Sequence, residues 1–293
     1  MAPANNRIHI GTCAWTLDDW RGAFYPADLP TSRWLAWYAR SFNAVEIDST
    51  FYANPPAENV ARWLAEAPAH FRFTCKAPKV ITHQRRLRDC DGVLADFLEA
   101  MQPLHGHLGA ILIQLPPSFT PALDGAAFRK FVLGLPHGWR YAIEFRHADW
   151  HTPHIVKLLE DHGVCWAWSD TTSVEDQAQG PFGFLPETAD FLYVRLMGDL
   201  RTKYGAGGRR NFRYEKLVWS RAAAIESWAV RLNKHAKQAE RVKALYVLCN
   251  NHYEGFAPVT CQRLGERLGV EIALPAGEEA EPEAKGPRQM KLL

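Results

Sequence analysis

The sequence has no apolar run near the ~18 residues that a membrane-spanning helix needs, so a helical span is excluded. It has no excess of one charge. With 34 basic against 32 acidic side chains the net charge is +2, which argues against a chain-wide polyanion-binding surface while permitting local basic patches. Cysteine is sparse: six in 293 residues, at 13, 75, 90, 165, 249 and 261, with no closely spaced pair of the zinc-knuckle or dithiol kind. There is no phosphate-cradling nucleotidase loop, no Gly-x-Ser-x-Gly elbow and no dinucleotide fingerprint after the first strand-like run. The first twelve residues carry no apolar stretch behind a basic one, so a reduced, cytoplasmic protein is expected. What the chain does have is apolar content. At 47% hydrophobic and 12% aromatic, with 11 tryptophans, it is not a disordered chain.

That content is arranged in alternation. Strand-like runs fall at Ile8–Thr12, Ala44–Asp48, Phe71–Lys76, Ala110–Leu115, Tyr141–Phe145, Val164–Ser169, Phe191–Leu196 and Leu245–Cys249. Helical patterns with recognisable starts lie between them. Thr31-Ser32 precedes a run with Trp34, Leu35, Trp37 and Tyr38, Pro55-Pro56 precedes Asn59–Glu66, and Pro153 opens His154–His162. Longer patterns cover Tyr214–Lys237 and Val259–Leu268. Strand and helix in eight repeats predict an α/β fold, a single (β/α)8 TIM barrel over residues 1–274. An open sheet is the alternative. Residues 275–293 turn Glu-, Ala-, Pro- and Gly-rich, and read as a flexible C-terminal tail.

In such a barrel the loops after the strands build the active site, so polar residues at strand ends carry the functional expectation. They occur at nearly every strand: Trp15 after the first, Glu46 and Asp48 on the second, Lys76, Gln114, then Glu144 and Arg146, Asp170, Arg195, and Asn250-Asn251. Each has a plain structural role open to it, as an ion pair, a helix cap or a turn residue. Together they predict a ligand site. Its ligand is expected to be small and polar or anionic, because two βα loops are basic. Lys76, Lys79, Arg85, Arg86 and Arg88 stand between positions 76 and 90, and Arg201, Lys203, Arg209 and Arg210 between 198 and 212. Trp34, Trp37 and Trp63 read as packing. Trp15, Trp20 and Trp150 fall near loops, where a sugar or base could stack. Glu46, Asp48, Glu144 and Asp170, with a histidine, could ligate a divalent metal, but Lys76, Arg146 and Arg195 on the same face oppose one. No cofactor is expected.

The stretches GTCAW, VEIDSTFYANP, FRFTCKAPKVITHQRRL, LIQLPPSF, AIEFRHADW, VCWAWSD, FLYVRLMG and CNNHYEG resemble, in order, those of the domain-of-unknown-function 72 family, the YecE-like proteins. The resemblance spans Ile8 to about Leu268 and implies a TIM barrel without implying a reaction. It also implies a site at Trp15, Glu46, Ser49, Tyr52, Lys76, His83, Gln114, Glu144, Arg146, Asp170, Arg195, Asn250 and Asn251. The sequence departs from the family pattern at Cys13-Ala14, usually Ser-Gly, at Asp48, usually Asn, and at Cys249, usually Phe.

The expected function is acid–base chemistry on a polar anionic substrate, such as a phosphorylated sugar or a nucleic-acid fragment, with hydrolysis as first choice. Glu46 and Glu144 are the expected acid and base, and His83 a proton shuttle. Lys76, Arg146 and Arg195 would neutralise charge, while Gln114 and Asn251 orient the substrate. Glu144→Gln is then expected to leave stability unchanged or slightly raised. The alternative is a non-catalytic nucleic-acid-associated protein. In that reading the terminal Gln289, Met290, Leu292 and Leu293 resemble the peptide by which bacterial proteins hold the DNA sliding clamp.

Overall fold

The computed structural model describes residues 7–171, 185–198, 213–237 and 240–275. Its strands are β1 (Ile8–Thr12), β2 (Ala44–Ile47), β3 (Arg72–Lys76), β4 (Leu108–Gln114), β5 (Tyr141–Glu144), β6 (Cys165–Trp166), β7 (Trp168–Thr171), β8 (Phe191–Gly198) and β9 (Ala244–Cys249). All pair in parallel, in the order β6-β5-β4-β3-β2-β1-β9-β8-β7. The two edges of that order are adjacent in sequence, with only Ala167 between them. Its amide donates to the Ile143 carbonyl at 2.9 Å, continuing the β5 ladder, before β7 turns to β8. The predicted strand at 164–169 is thus two short strands that together close the sheet into a barrel.

The two-residue period sorts side chains into two apolar layers. Inside the barrel, Ala110, Ala142, Ala167 and Ala244 leave room that Phe191, Tyr193 and Tyr246 fill. The taper is tight: a Cβ on Gly109 would stand 2.5 Å from the Tyr246 ring. The other face of each strand, with Leu192, Val194 and Leu196 of β8, joins a larger cluster beneath the helices.

Those helices are α1 (Trp34–Tyr38), α2 (Ala57–Glu66), α3 (Asp91–Met101), α4 (Pro121–Leu133), α5 (Pro153–Asp161), α6 (Ala222–Ala236) and α7 (Ala257–Leu268). Starts are set by local chemistry. Thr120 and Thr152 accept from the amides of Leu123 and Ile155, each with a proline in the first turn. The helix expected from Tyr214 begins only at Ala222, because the backbone before it bonds elsewhere. The amides of Val218 and Trp219 donate to the Glu254 carbonyl, and that of Arg221 to the Glu254 carboxylate. Toward the end of the described residues Ile272 is buried and Leu274 packs on the same cluster. No helix of the described residues is long and apolar enough to cross a membrane.

Candidate functional site at the barrel mouth

Strand β8 places Tyr193 and Arg195 on its inward face, two residues apart, in the half of the barrel that leads to its C-terminal mouth. From there the Arg195 guanidinium spans two other strands. Nη1 donates to Glu144 Oε2 at 2.6 Å and Nη2 to Glu46 Oε1 at 2.8 Å. The remaining oxygens are also taken: the Tyr193 hydroxyl donates to Glu46 Oε2 at 2.7 Å, and Arg146 Nε donates to Glu144 Oε1. Both carboxylates are fully buried, and Arg195 is 1% exposed. Every acceptor is satisfied by a charged or hydroxyl donor, the condition under which buried charge is tolerated.

This pairing decides the protonation states. Burial alone would raise the pKa of Glu144, but Arg146 and Arg195, with Lys76 adding to them, pull it down to about 2. Burial likewise opposes the charge on Arg195, and Glu46 and Glu144 override it, holding the guanidinium charged. Glu144 is therefore an anion at neutral pH with no proton to give, and its lone pairs are committed to arginine. The expected division of acid and base between Glu46 and Glu144 is not what this geometry favours. Strand-end position brought both carboxylates to the expected site but could not show that one arginine ties them together.

Above this layer lies a second, nearer the mouth. Lys76, at the end of β3, pairs with Asp48 at 3.4 Å and sets its ammonium 4.0 Å from the centre of the Phe51 ring. The same Phe51 ring meets that of His83 nearly at right angles, centroids 5.0 Å apart. His83 belongs to a π-helical turn, Val80–Gln84, a geometry enriched at functional sites. Its Nδ1 shares a hydrogen bond with Thr82 Oγ1 at 2.8 Å. Burial, then the charges of Lys76 and Arg146, lower the His83 pKa, so the ring is neutral at pH 7.

The segment that follows is strained and clamped. Arg86, Leu87 and Asp89 all adopt left-handed backbone, with φ of 50°, 63° and 50°. Such conformations cost of order 1–3 kcal/mol each and persist only where the surroundings impose them. Here Asp124 of α4, 1% exposed, accepts from Arg86 and Arg88 and from the Thr120 amide. Two arginines of the loop expected to attract a ligand are thus engaged within the protein.

The remaining expected residues divide. Gln114 lies on the inward face of β4, in register with Glu144. Asp170 points the other way, accepting from Trp228 Nε1 at 3.0 Å and from the Tyr253 hydroxyl at 2.7 Å, which ties β7 to α6 and to the loop after β9. Asn251 Oδ1 accepts from Trp20 Nε1 and from the Ala257 amide, and Asn250 Oδ1 accepts from the His252 amide. All three are placed as ties within the fold. Trp20 and Trp150 are core residues, 0% and 1% exposed, whereas Trp15 borders a cavity at the mouth. The basic residues at 201–210 and the terminal Gln289, Met290, Leu292 and Leu293 lie outside the described residues. Among the described residues no three His, Cys, Asp or Glu side chains come together as a metal-binding group. All six cysteines are free thiols. Cys13 faces the same interior, where burial and the nearby Glu46 push its thiol well above its ordinary range.

The profile of the family described as "Protein of unknown function DUF72" matches residues 9–285. The chain belongs to this family. Among the relatives of the DUF72 chain is the UPF0759 protein YunF of Bacillus subtilis, 28% identical over 281 residues that cover 91% of this chain and 96% of that protein. The UPF0759 protein YecE of Escherichia coli is 37% identical over 142 residues, 48% of this chain, and that match spans about half the relative's length. A solved DUF72 family protein of Thermotoga maritima superposes with a TM-score of 0.71 at 26% identity, covering 90% of this chain and 99% of its own. One of Enterococcus faecalis gives 0.69 at 22% identity, covering 94% and 100%, a likeness of fold. The α/β barrel is therefore the DUF72 fold.

Sequence reading missed Tyr193 and Phe51. Tyr193 carried a usable signal, since it precedes Arg195 by two positions on one strand and must share its face. Phe51 carried none. It lies on a turn after β2 and is brought to Lys76 and His83 by the tertiary fold alone.

Proposed function

We propose that this chain is an enzyme acting on small, polar, anionic molecules at the C-terminal mouth of its barrel, with His83 rather than either buried glutamate moving the proton. The observation that carries this reading is the meeting of Lys76 and His83 at the Phe51 ring, a permanent cation near a neutral imidazole. An imidazole neutral at pH 7 can accept a proton from a water or a substrate hydroxyl. Lys76 and Arg146 then neutralise the charge that the substrate brings and that builds on its oxygen. Glu46, Glu144 and Arg195 form the rigid charged floor that orients Arg146. Hydrolysis, which needs one base and one anion-stabilising group, is the first choice of reaction. The six free thiols support a reducing, cytoplasmic setting.

The test is turnover of a panel of phosphate monoesters and carboxylic esters by wild type and His83→Gln. Wild type is expected to hydrolyse at least one, and the variant to lose roughly 10²-fold or more in rate while still binding it. Equal rates in the two proteins would remove His83 from the chemistry.

A second reading rests on the terminal Gln-Met-Lys-Leu-Leu sequence. We propose it as a sliding-clamp peptide that would recruit the barrel to nucleic acid. Calorimetry of the peptide 286–293 with a bacterial clamp is expected to give a micromolar Kd, roughly −8 kcal/mol, lost on Gln289→Ala. No heat at high micromolar peptide would contradict it.

A further inference from the structure

A cavity of about 210 Å³ opens beside the Lys76 site, between the loop after β1, the start of α1 and the length of α2. By the ~30 Å³ that each water occupies in the liquid, this is room for a small ring and its substituents rather than for a few trapped waters. The cavity is joined to the anion site through one residue. Asp48 lines it and also pairs with Lys76 at 3.4 Å.

Its walls combine two kinds of chemistry. Trp15 and Trp63 give it an aromatic side, their rings packed edge to face at 85° with centroids 5.6 Å apart. Asp48, Asn59, Arg62 and Glu66 supply both acceptors and donors around the rest. A flat nucleobase is best held by stacking, and two perpendicular rings in mutual contact leave no parallel slot between them. A sugar ring has an apolar face for an aromatic side chain and a rim of hydroxyls that each donate and accept. Mixed carboxylate, amide and guanidinium groups match such a rim, and an all-basic wall would not.

We propose that this cavity is the sugar subsite of the barrel, and that the substrate is a sugar carrying an anionic group, its ring against Trp15 and its anion at Lys76. The proposal rests on the reading of Lys76 and Arg146 as the anion-holding pair, and narrows the substrate to that class. Arg62 and Asn59 are the residues that distinguish the two subsites, since they border the cavity and lie on a different element from Lys76. Arg62 is exposed and is bonded to Asn59 at 2.9 Å, so its loss leaves the core untouched.

Calorimetric titration of the full chain with inorganic phosphate, glycerol phosphate, pentose and hexose monophosphates, and adenosine monophosphate tests it. At least one pentose or hexose phosphate is expected to bind tenfold or more tightly than inorganic phosphate, glycerol phosphate and the nucleotide. Arg62→Ala and Asn59→Ala are expected to erase that gain, with phosphate affinity and melting temperature unchanged. Sugar phosphates that bind no better than inorganic phosphate overturn the subsite and leave the anion site standing. Preference for the nucleotide also overturns it. If none of the probes binds, both the subsite and the reading beneath it fail.

Discussion

Arg195 and Glu144, 51 positions apart in the chain, meet inside the barrel with Nη1 and Oε2 at 2.6 Å and neither side chain open to solvent. A buried pair of this kind gains little over a well-packed apolar pair, yet breaking it by removing one partner leaves an uncompensated charge. The floor of the mouth is therefore unforgiving.

Glu144→Gln is for that reason expected to destabilise the protein by about 3–5 kcal/mol, the opposite of what sequence alone suggested. Urea unfolding of the two proteins gives the difference directly. A cost below ~1 kcal/mol would mean that Arg146 and Arg195 find other partners, and that the network is looser than its geometry.

The same pair makes the fold sensitive to acid. The folded-state pKa of Glu144, about 2, lies below its ordinary value of 4.5. Its contribution is complete above pH 4.5 and is lost as pH falls from there toward 2. The amount is on the order of 3 kcal/mol for a shift of that size. Unfolding measured at steps between pH 6 and pH 2.5 should show this loss in wild type and a flatter response in Glu144→Gln. Parallel curves would assign acid sensitivity to other carboxylates.

Ala14 carries a backbone that glycine suits better, with φ of 151° beside the cavity. Relief of that strain exceeds the extra freedom that glycine gives the unfolded chain. Ala14→Gly is expected to raise stability by about 1 kcal/mol, read as a higher urea midpoint at unchanged slope. A lower midpoint would show that the loop accommodates alanine without strain.

Much of this was legible in the sequence because the barrel obeys simple periods. The apolar run Phe191–Leu196 marked β8 and placed Arg195 near its C-terminal end. Pro153 marked where α5 starts. What sequence could not reveal was partnership. Asp170 and Asn251 sit at strand ends like Lys76, yet they bond to Trp228, Tyr253 and Trp20, residues distant in the chain. Arg86 and Arg88 read as ligand-facing until Asp124 appears beneath them. The delayed start of α6 has the same cause, a loop carboxylate and carbonyl that compete for its first amides.

The central claim is that the mouth of the barrel holds an anion between Lys76, Arg146 and His83. A crystal structure of the protein purified without chelator and grown in phosphate tests it most directly. The account predicts density for an anion within hydrogen-bonding distance of Lys76 Nζ and His83, absent in Lys76→Ala crystals grown alike. Water alone at that position, with phosphate bound elsewhere on the protein, would contradict it.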